Sequence, residues 1–209
     1  PGSKTNGMSA ARNCSACCSL AHQHLGAGLT GFEMMGQFAL SLVDKHYPQL
    51  RVPLWQDQPY CVLLENSDTE SQDHARARFE HLLEVAFEAG CVSDAVVAEN
   101  LTQAHNFWHI RESITLAQAE EGLNIKHDIS LPVSAIPAFV EATDAELMHE
   151  IPGVRLVDFG HLGDGNLHYN VQAPEGGDSR VFLETQEERV NHIVYQNVRR
   201  FHGSISAEH

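Results

Sequence analysis

Apolar residues recur along this chain with two spacings, one typical of helices and one typical of strands. Helical spacing predicts helices over residues 9–25 and 101–121. Three further apolar stripes each predict one more helix: Phe79, Leu82, Leu83, Ala86 and Phe87; Ile136, Val140, Leu147 and Ile151; and Val190, Val194, Val198 and Phe201. Strand-like runs lie at 60–65, 94–98, 124–133, 154–159 and 167–171, and residues 32–42 fit a strand followed by a helix. Strands interleaved with helices predict one α+β domain: a ferredoxin-like antiparallel sheet with helices packed on one face.

The stretch from His161 to Asn170 carries the clearest local signal. Asp164-Gly165 stands between two strand-like runs, a pattern typical of a β-hairpin with a two-residue turn. With that turn, His161 lies directly opposite His168, at a Cβ separation of about 4.5–5.5 Å, and Asn170 falls on the same face. Two imidazoles so placed can converge on one metal ion. A plain hairpin with surface or core histidines fits the same pattern, although the glycines beside Asp164 leave the loop backbone uncovered for a close approach.

Amino-acid composition narrows the classes of molecule that this chain is expected to bind. The 209 residues are enough for one substantial domain or two small ones. There are 13 Lys and Arg against 28 Asp and Glu, a formal net charge of -15 that would repel phosphate backbones and anionic lipid. No run of about 18 apolar residues is present, so no membrane span is expected. We therefore expect neither a nucleic-acid partner nor a membrane span.

The five cysteines include a closely spaced group near the start of the sequence. Cys14, Cys17 and Cys18 share one helical stripe with Ala21 and Leu25. The spacing resembles a zinc or redox motif, but buried thiols acting as small hydrophobic side chains fit the stripe better. An unpaired set also suits a reducing compartment. The opening Pro-Gly-Ser resembles a cloning remnant, and the residues after it lack a signal-peptide pattern.

The helix at 101–121 has a polar face beside its apolar stripe. Trp108, Arg111 and Thr115 follow at i, i+3 and i+7, so all three can look into one cleft. On this pattern alone, an ordinary solvated helix cation is the better explanation of Arg111. In the extended run that follows, Lys126 and Asp128 point to one face of the strand and the residue between them to the other.

Four segments are similar to one known family. They are Trp108-His-Ile-Arg-Glu-Ser-Ile114, Ile125-Lys-His-Asp-Ile-Ser-Leu-Pro132, residues 161–170, and Ser204-Ile-Ser-Ala-Glu-His209. Together they resemble the C-terminal, substrate-side (cap) domain of FAD-linked D-2-hydroxy acid dehydrogenases of the vanillyl-alcohol oxidase superfamily, the D-2-hydroxyglutarate and D-lactate dehydrogenase type. The resemblance implies an FAD-linked oxidase C-terminal domain over 26–209, preceded by an N-terminal helix over 1–25. It also implies an FAD-binding domain that lies upstream of this sequence, and a truncation after His209.

The resemblance also implies which residues act. A divalent metal, most simply zinc, would bind His161, His168 and Glu208. The positions that hold the substrate are matched by Arg111, Thr115, Lys126 and Asn170. His209 matches the catalytic general base. The chemistry suits these residue types, because a metal lowers the pKa of the substrate hydroxyl, an arginine grips a carboxylate with two N–H donors, and a lysine adds a point charge.

The implied parent protein is an FAD-dependent oxidoreductase that converts a small anionic D-2-hydroxy acid to the 2-oxo acid. Its expected location is the cytoplasm of a bacterium or the mitochondrial matrix of a eukaryote. The isolated chain is expected to be colourless and inactive. Because Glu208 is next to the last residue, metal binding is expected to be weak, with Glu208 and His209 mobile or away from the hairpin.

Two other functions stay open. A zinc hydrolase would use His161 and His168 with a metal-bound water and would need no flavin domain. A non-catalytic binding module predicts no metal and no clustering of Arg111 with the two histidines.

Overall fold

Seven strands form one antiparallel sheet in the computed structural model, which describes the backbone of residues 4–205 and the side chains of residues 11–205. The strands are β1 (Leu29–Gly36), β2 (Tyr60–Asn66), β3 (Asn124–Ile125), β4 (Asp128–Ser130), β5 (Arg155–His161), β6 (Asn166–Gln172) and β7 (Ser204–Ile205). Their spatial order is β2-β1-β5-β6-β4-β7, and β3 pairs with β6 beside β4. Strands β1, β5 and β6 therefore occupy the middle of the sheet, and β2 lies at one edge.

Six α-helices accompany the sheet within the described residues. They are α1 (Lys4–Leu25), α2 (Gln37–His46), α3 (Gln72–Glu88), α4 (Leu101–Glu120), α5 (Ile136–Glu150) and α6 (Ser179–Arg200). Side chains at the N-caps fix several starts: Asn100 accepts the Gln103 N–H before α4, and Asp178 accepts the Arg180 and Val181 N–H groups before α6. No helix among these has the length and apolar character needed to cross a bilayer.

The α+β class and the antiparallel sheet are confirmed, but the helices cover both faces rather than one. Alternate residues of β1 show why. Phe32 and Met34 pack into an apolar cluster with residues of α1, α5 and α6. Met35 lies in a second cluster with residues of α2 and α4. A central strand that is apolar on both sides needs a helical layer on each.

The strand predicted at 94–98 is wrong. Residues 91–100 run beside the sheet without strand pairing, and β2 is left as the edge strand. Val96 and Val97 are 50% and 48% exposed, so this segment buries too little apolar surface to add a strand. The Asp94 side chain also accepts the Ala95 N–H, a local bond that competes with a ladder.

The cysteine stripe on α1 is buried, as predicted. Cys14, Cys17 and Cys18 lie in the same apolar cluster as Leu25 and Phe32, and all five cysteines are free thiols. Burial raises the pKa of Cys17 and of Cys18 to about 11, so both are protonated at neutral pH. These thiols act as core side chains.

Candidate functional site

The β5–β6 hairpin forms as predicted, but its register differs from the prediction by two residues. His168 lies opposite Phe159, not opposite His161. The turn spans residues 162–165 instead of Asp164-Gly165 alone: Leu162–Asp164 is a 3-10 turn, and Gly165 follows with a φ of 76°. A slip of two residues preserves the face on which a side chain lies, so the two histidines still share one face of the sheet.

The loop is held by backbone contacts within the turn and with Leu131. The Gly165 N–H binds the Leu162 carbonyl at 3.1 Å, and the Gly165 carbonyl accepts the Leu131 N–H at 2.9 Å. A Cβ on Gly165 would lie 2.1 Å from the Leu131 carbonyl oxygen. Glycine is therefore required here by the neighbouring chain as well as by its positive φ.

His161 is tied to a buried carboxylate on β1. Glu33 lies opposite His161 in the β1–β5 ladder, and its Oε1 accepts from His161 Nδ1 at 2.6 Å. The other oxygen, Oε2, accepts from Arg111 Nε on α4 at 2.8 Å. The Arg111 guanidinium also lies 5.2 Å from the centre of the Phe159 ring. One carboxylate thus joins the helix that carries Arg111 to the strand that carries His161.

His168 has the same kind of partner on the other side of the hairpin. Asp128 lies opposite His168 in the β4–β6 ladder, and its Oδ1 accepts a short hydrogen bond from His168 Nδ1. A carboxylate can only accept, so both histidines hold a proton on Nδ1 and present Nε2 outward. Histidines that bind metals have this arrangement, in which a carboxylate fixes the tautomer.

Asn170 and Lys126 lie next to each other on the same face. Ile125 pairs with Val171 and Asp128 with His168, so the register between them sets Lys126 opposite Asn170. The Asn170 side chain is buried and held at both ends: Oδ1 accepts the His127 N–H at 3.2 Å, and Nδ2 donates to Gln118 Oε1 at 3.1 Å. Lys126 is exposed.

The structure brings most of the predicted site residues to one sheet face. This face, which we call the histidine face, carries Lys126, His161, His168 and Asn170, and Arg111 reaches it from α4. Thr115 lies one helical turn beyond Arg111 on the exposed side of α4. Glu208 and His209 lie outside the described residues.

Sequence reasoning missed Glu33, Asp128 as a histidine partner, and Gln118. Glu33 has a signal in the sequence, because it is the one charge inside the apolar run of residues 32–36. Asp128 was expected on the face of Lys126, but nothing in the sequence placed it beside a strand 40 residues away. His127 faces the opposite side, as expected: burial lowers its pKa, and its ring binds the Tyr169 carbonyl and Asn191.

Beneath the histidine face lies a buried acidic pair. Asp158 accepts from Tyr60 at 2.7 Å, and Asp144 accepts from Tyr169 at 2.6 Å. Burial, and then the charge of Asp158, raise the pKa of Asp144 to about 8. Burial likewise raises the pKa of Asp158 to about 6. These groups face the α1 and α5 layer and support the middle of the sheet from the opposite side.

A second group of possible metal ligands lies between β2 and the first turn of α3. Asp68, Glu70 and His74 have donor atoms within 4.8 Å of one another in the described part of the chain. Asp68 already accepts from the Glu70 N–H and from His74 Nδ1, and the Arg78 guanidinium is 3.6 Å away. A neighbouring arginine opposes cation binding, so this group is better explained as the hydrogen-bonded start of α3.

Comparison with known proteins identifies the family to which this fold belongs. The family model described as "FAD linked oxidases, C-terminal domain" matches residues 1–209, and the chain belongs to that family.

Relatives of this chain include the mitochondrial D-2-hydroxyglutarate dehydrogenase of Arabidopsis thaliana, 35% identical over 90% of this chain and 32% of the relative. The D-2-hydroxyglutarate dehydrogenase of Xanthomonas citri pv. viticola is 38% identical over 87% of this chain and 37% of its own length. A putative mitochondrial D-lactate dehydrogenase of Schizosaccharomyces pombe is 35% identical over 89% of this chain and 36% of its own length. The chain thus spans about a third of the length of these relatives.

Proposed function

We propose that the histidine face binds a D-2-hydroxy acid together with a divalent metal, as the substrate-side domain of an FAD-dependent dehydrogenase. One observation carries the proposal: two histidines with carboxylate-bound Nδ1 atoms share a sheet face with Arg111. The names of the relatives, D-2-hydroxyglutarate dehydrogenase and D-lactate dehydrogenase, supply the substrate class. The alternative of a non-catalytic module predicts that Arg111 does not cluster with the histidines, and the Glu33 carboxylate shared by Arg111 and His161 counts against it.

We propose that the two histidines bind a divalent metal from diagonal positions of the hairpin, because His168 lies opposite Phe159 and not opposite His161. Each imidazole has its Nδ1 on a carboxylate and its Nε2 available, and Nε2 of His161 lies 3.6 Å from Asp164 Oδ2. Two imidazoles with the Glu208 carboxylate form a ligand set typical of catalytic zinc, and we propose zinc as the metal. When bound, the metal polarises the substrate hydroxyl and lowers its pKa.

Arg111 is the proposed grip on a substrate carboxylate. Its Nε is used on Glu33, which leaves both Nη groups as donors, and the side chain is partly exposed. Held by Glu33 and the Phe159 ring, the guanidinium needs little ordering when a carboxylate arrives. Lys126 is proposed to supply a second cation on an exposed, flexible side chain. Thr115 is proposed to supply a hydroxyl from the exposed side of α4.

Asn170 is the proposed partner of the substrate hydroxyl or carboxylate. Its amide is fixed by His127 and Gln118, yet Nδ2 keeps one N–H and Oδ1 keeps one lone pair for a ligand. A fixed amide favours one orientation of the acid over its mirror image. The side chains therefore orient C2 before reaction.

The reaction itself removes a hydride from C2 and a proton from the hydroxyl. FAD, when bound, accepts the hydride, and we propose that residues outside this chain hold most of it. His209 is the proposed base that takes the proton. The histidine face is open beside Lys126 and Asp128, both exposed, so a flavin can approach it from that side.

Calorimetric titration of the chain, in excess zinc, with D-2-hydroxyglutarate, D-lactate and their L-enantiomers tests the proposal. We expect the D-acids to bind more tightly than the L-acids. Arg111→Met should weaken binding at least tenfold, because a hydrogen bond to a charged group contributes about 1.5–3 kcal/mol. Arg76→Met is the matched control, since Arg76 is an exposed arginine on α3 that pairs with Glu80. Equal binding of both enantiomers, or equal loss in the two variants, would contradict the proposal.

A further inference from the structure

Glu33 touches both halves of the proposed site. Its Oε1 is 2.6 Å from His161 Nδ1, and its Oε2 is 2.8 Å from Arg111 Nε. The residue is 4% exposed, so water contributes little to its solvation. A buried carboxylate is stable only when its oxygens accept strong hydrogen bonds, and these two donors provide them.

We propose that Glu33 is a positioning residue that fixes the Nδ1–H tautomer of His161 and the orientation of Arg111 at once. A carboxylate accepts at both oxygens, so it requires a donor on each side. Arg111 is always a donor, and His161 becomes one by keeping its proton on Nδ1. The lone pair of His161 is thereby directed out through Nε2. The consequence for metal and substrate rests on the proposed function, whereas the tautomer is a property of the chain alone.

Glu33→Gln exposes this role, because an amide cannot accept on both sides. Its oxygen must face Arg111, whose Nε cannot lose a proton, and its NH2 group then faces His161 Nδ1. His161 can satisfy that N–H only by accepting, so its proton moves to Nε2. The substitution preserves volume and shape, and it reverses one hydrogen bond.

The tautomer is read directly from nitrogen-15 NMR of the imidazole ring in the metal-free chain, at a pH where histidine is neutral. We expect Nδ1 of His161 to be the protonated nitrogen in the unmodified chain and Nε2 to be protonated in Glu33→Gln. Glu65→Gln is the matched control: Glu65 lies on the neighbouring strand β2 and accepts from Trp108 of α4, away from His161. It should leave the His161 spectrum unchanged.

A double variant, Glu33→Gln with Arg111→Met, separates the positioning role from a general disturbance. Without the guanidinium, the amide oxygen is free to face His161, and the Nδ1–H tautomer should return. A His161 ring protonated on Nε2 in the unmodified chain would overturn the inference. So would an unchanged tautomer in Glu33→Gln, or a double variant that stays in the Nε2–H form.

Zinc titration then links the tautomer to the proposed metal. Loss of a carboxylate behind a ligand histidine typically lowers metal affinity about 10–100-fold. We expect a loss in that range for Glu33→Gln and none for Glu65→Gln. If the tautomer switches as described but the unmodified chain binds no zinc, the positioning role stands and the proposed metal function fails.

Discussion

At the scale of single residues, the two histidines differ in the environment of their carboxylates. Glu33 is buried and shared with Arg111, whereas the Asp128 side chain is 51% exposed and accepts from His168. Water can replace an exposed acceptor but not a buried one. The two partners should therefore contribute unequally to the proposed metal site.

Asp128→Asn tests that difference. The new side chain keeps an oxygen that can accept from His168, and water can hydrogen-bond to its NH2 group. We therefore expect zinc affinity to fall less than tenfold. The measurement is the same zinc titration, with Glu33→Gln beside it. If Asp128→Asn lowers zinc affinity as much as Glu33→Gln or more, burial of the carboxylate does not decide how much it contributes to metal binding.

The sequence correctly predicted which site residues share a face of the sheet, because side chains alternate between the two faces along a strand. His168 and Asn170 share a face because they are two residues apart in one strand, and His161 stays on that face because the register differs from the prediction by an even number of residues. The partners of the histidines come from strands 128 and 40 residues away, and no local pattern shows those contacts. Glu33 is the missed residue that sequence could have flagged, as a charge in an apolar strand.

At the scale of elements, the hairpin turn was predicted wrongly because a distant segment decides its shape. The Asp-Gly pair favours a two-residue turn locally. The Leu131 backbone instead binds the Gly165 carbonyl and packs against its Cα, which stabilises a longer loop. Tertiary contacts therefore override the local preference of the turn.

Gly165→Ala tests the role of this contact. Both the φ of 76° and the 2.1 Å approach to the Leu131 oxygen oppose a side chain, so we expect a loss of stability of about 2–4 kcal/mol in chemical denaturation. Gly176→Ala is the matched control, since Gly176 has a φ of 74° and nothing within 4 Å of a Cβ. It should lose only about 1 kcal/mol from the backbone conformation. Equal losses would show that Leu131 can move aside freely.

At the scale of the whole molecule, the sequence predicted the α+β fold class but not the packing of helices on both faces of the sheet. Alternating helix and strand patterns indicated an α+β sheet, but the burial of β1 on both faces appears only when all strands are assembled. The same assembly buries Asp144 and Asp158 behind the histidine face. Their burial makes the stability of the sheet depend on pH.

The dependence has a definite sign. Folding raises the pKa of Asp144 from 3.8 to about 8, so its contribution is fully present below pH 3.8 and is lost as pH rises through about 8. The lowered pKa of His127 acts in the opposite direction, because burial favours its neutral form. Asp144→Asn isolates the first effect, since an amide oxygen can still accept from Tyr169.

Urea denaturation at about pH 5 and at about pH 8.5 measures this effect. The unmodified chain should lose more stability between the two values than Asp144→Asn does, with the difference set by Asp144. An equal or larger loss in Asp144→Asn would show that Asp144 is ionised in the folded protein near neutral pH.

The central claim, that metal and acid bind together on the histidine face, is tested most directly by their mutual dependence. Zinc affinity is measured with and without saturating D-2-hydroxyglutarate, in the unmodified chain, in His161→Ala and in His74→Ala, which alters the separate group of Asp68, Glu70 and His74. We predict that the acid strengthens zinc binding by about tenfold or more, that His161→Ala abolishes this coupling, and that His74→Ala preserves it. Zinc affinity that is independent of the acid, or coupling that persists in His161→Ala and disappears in His74→Ala, would contradict the account.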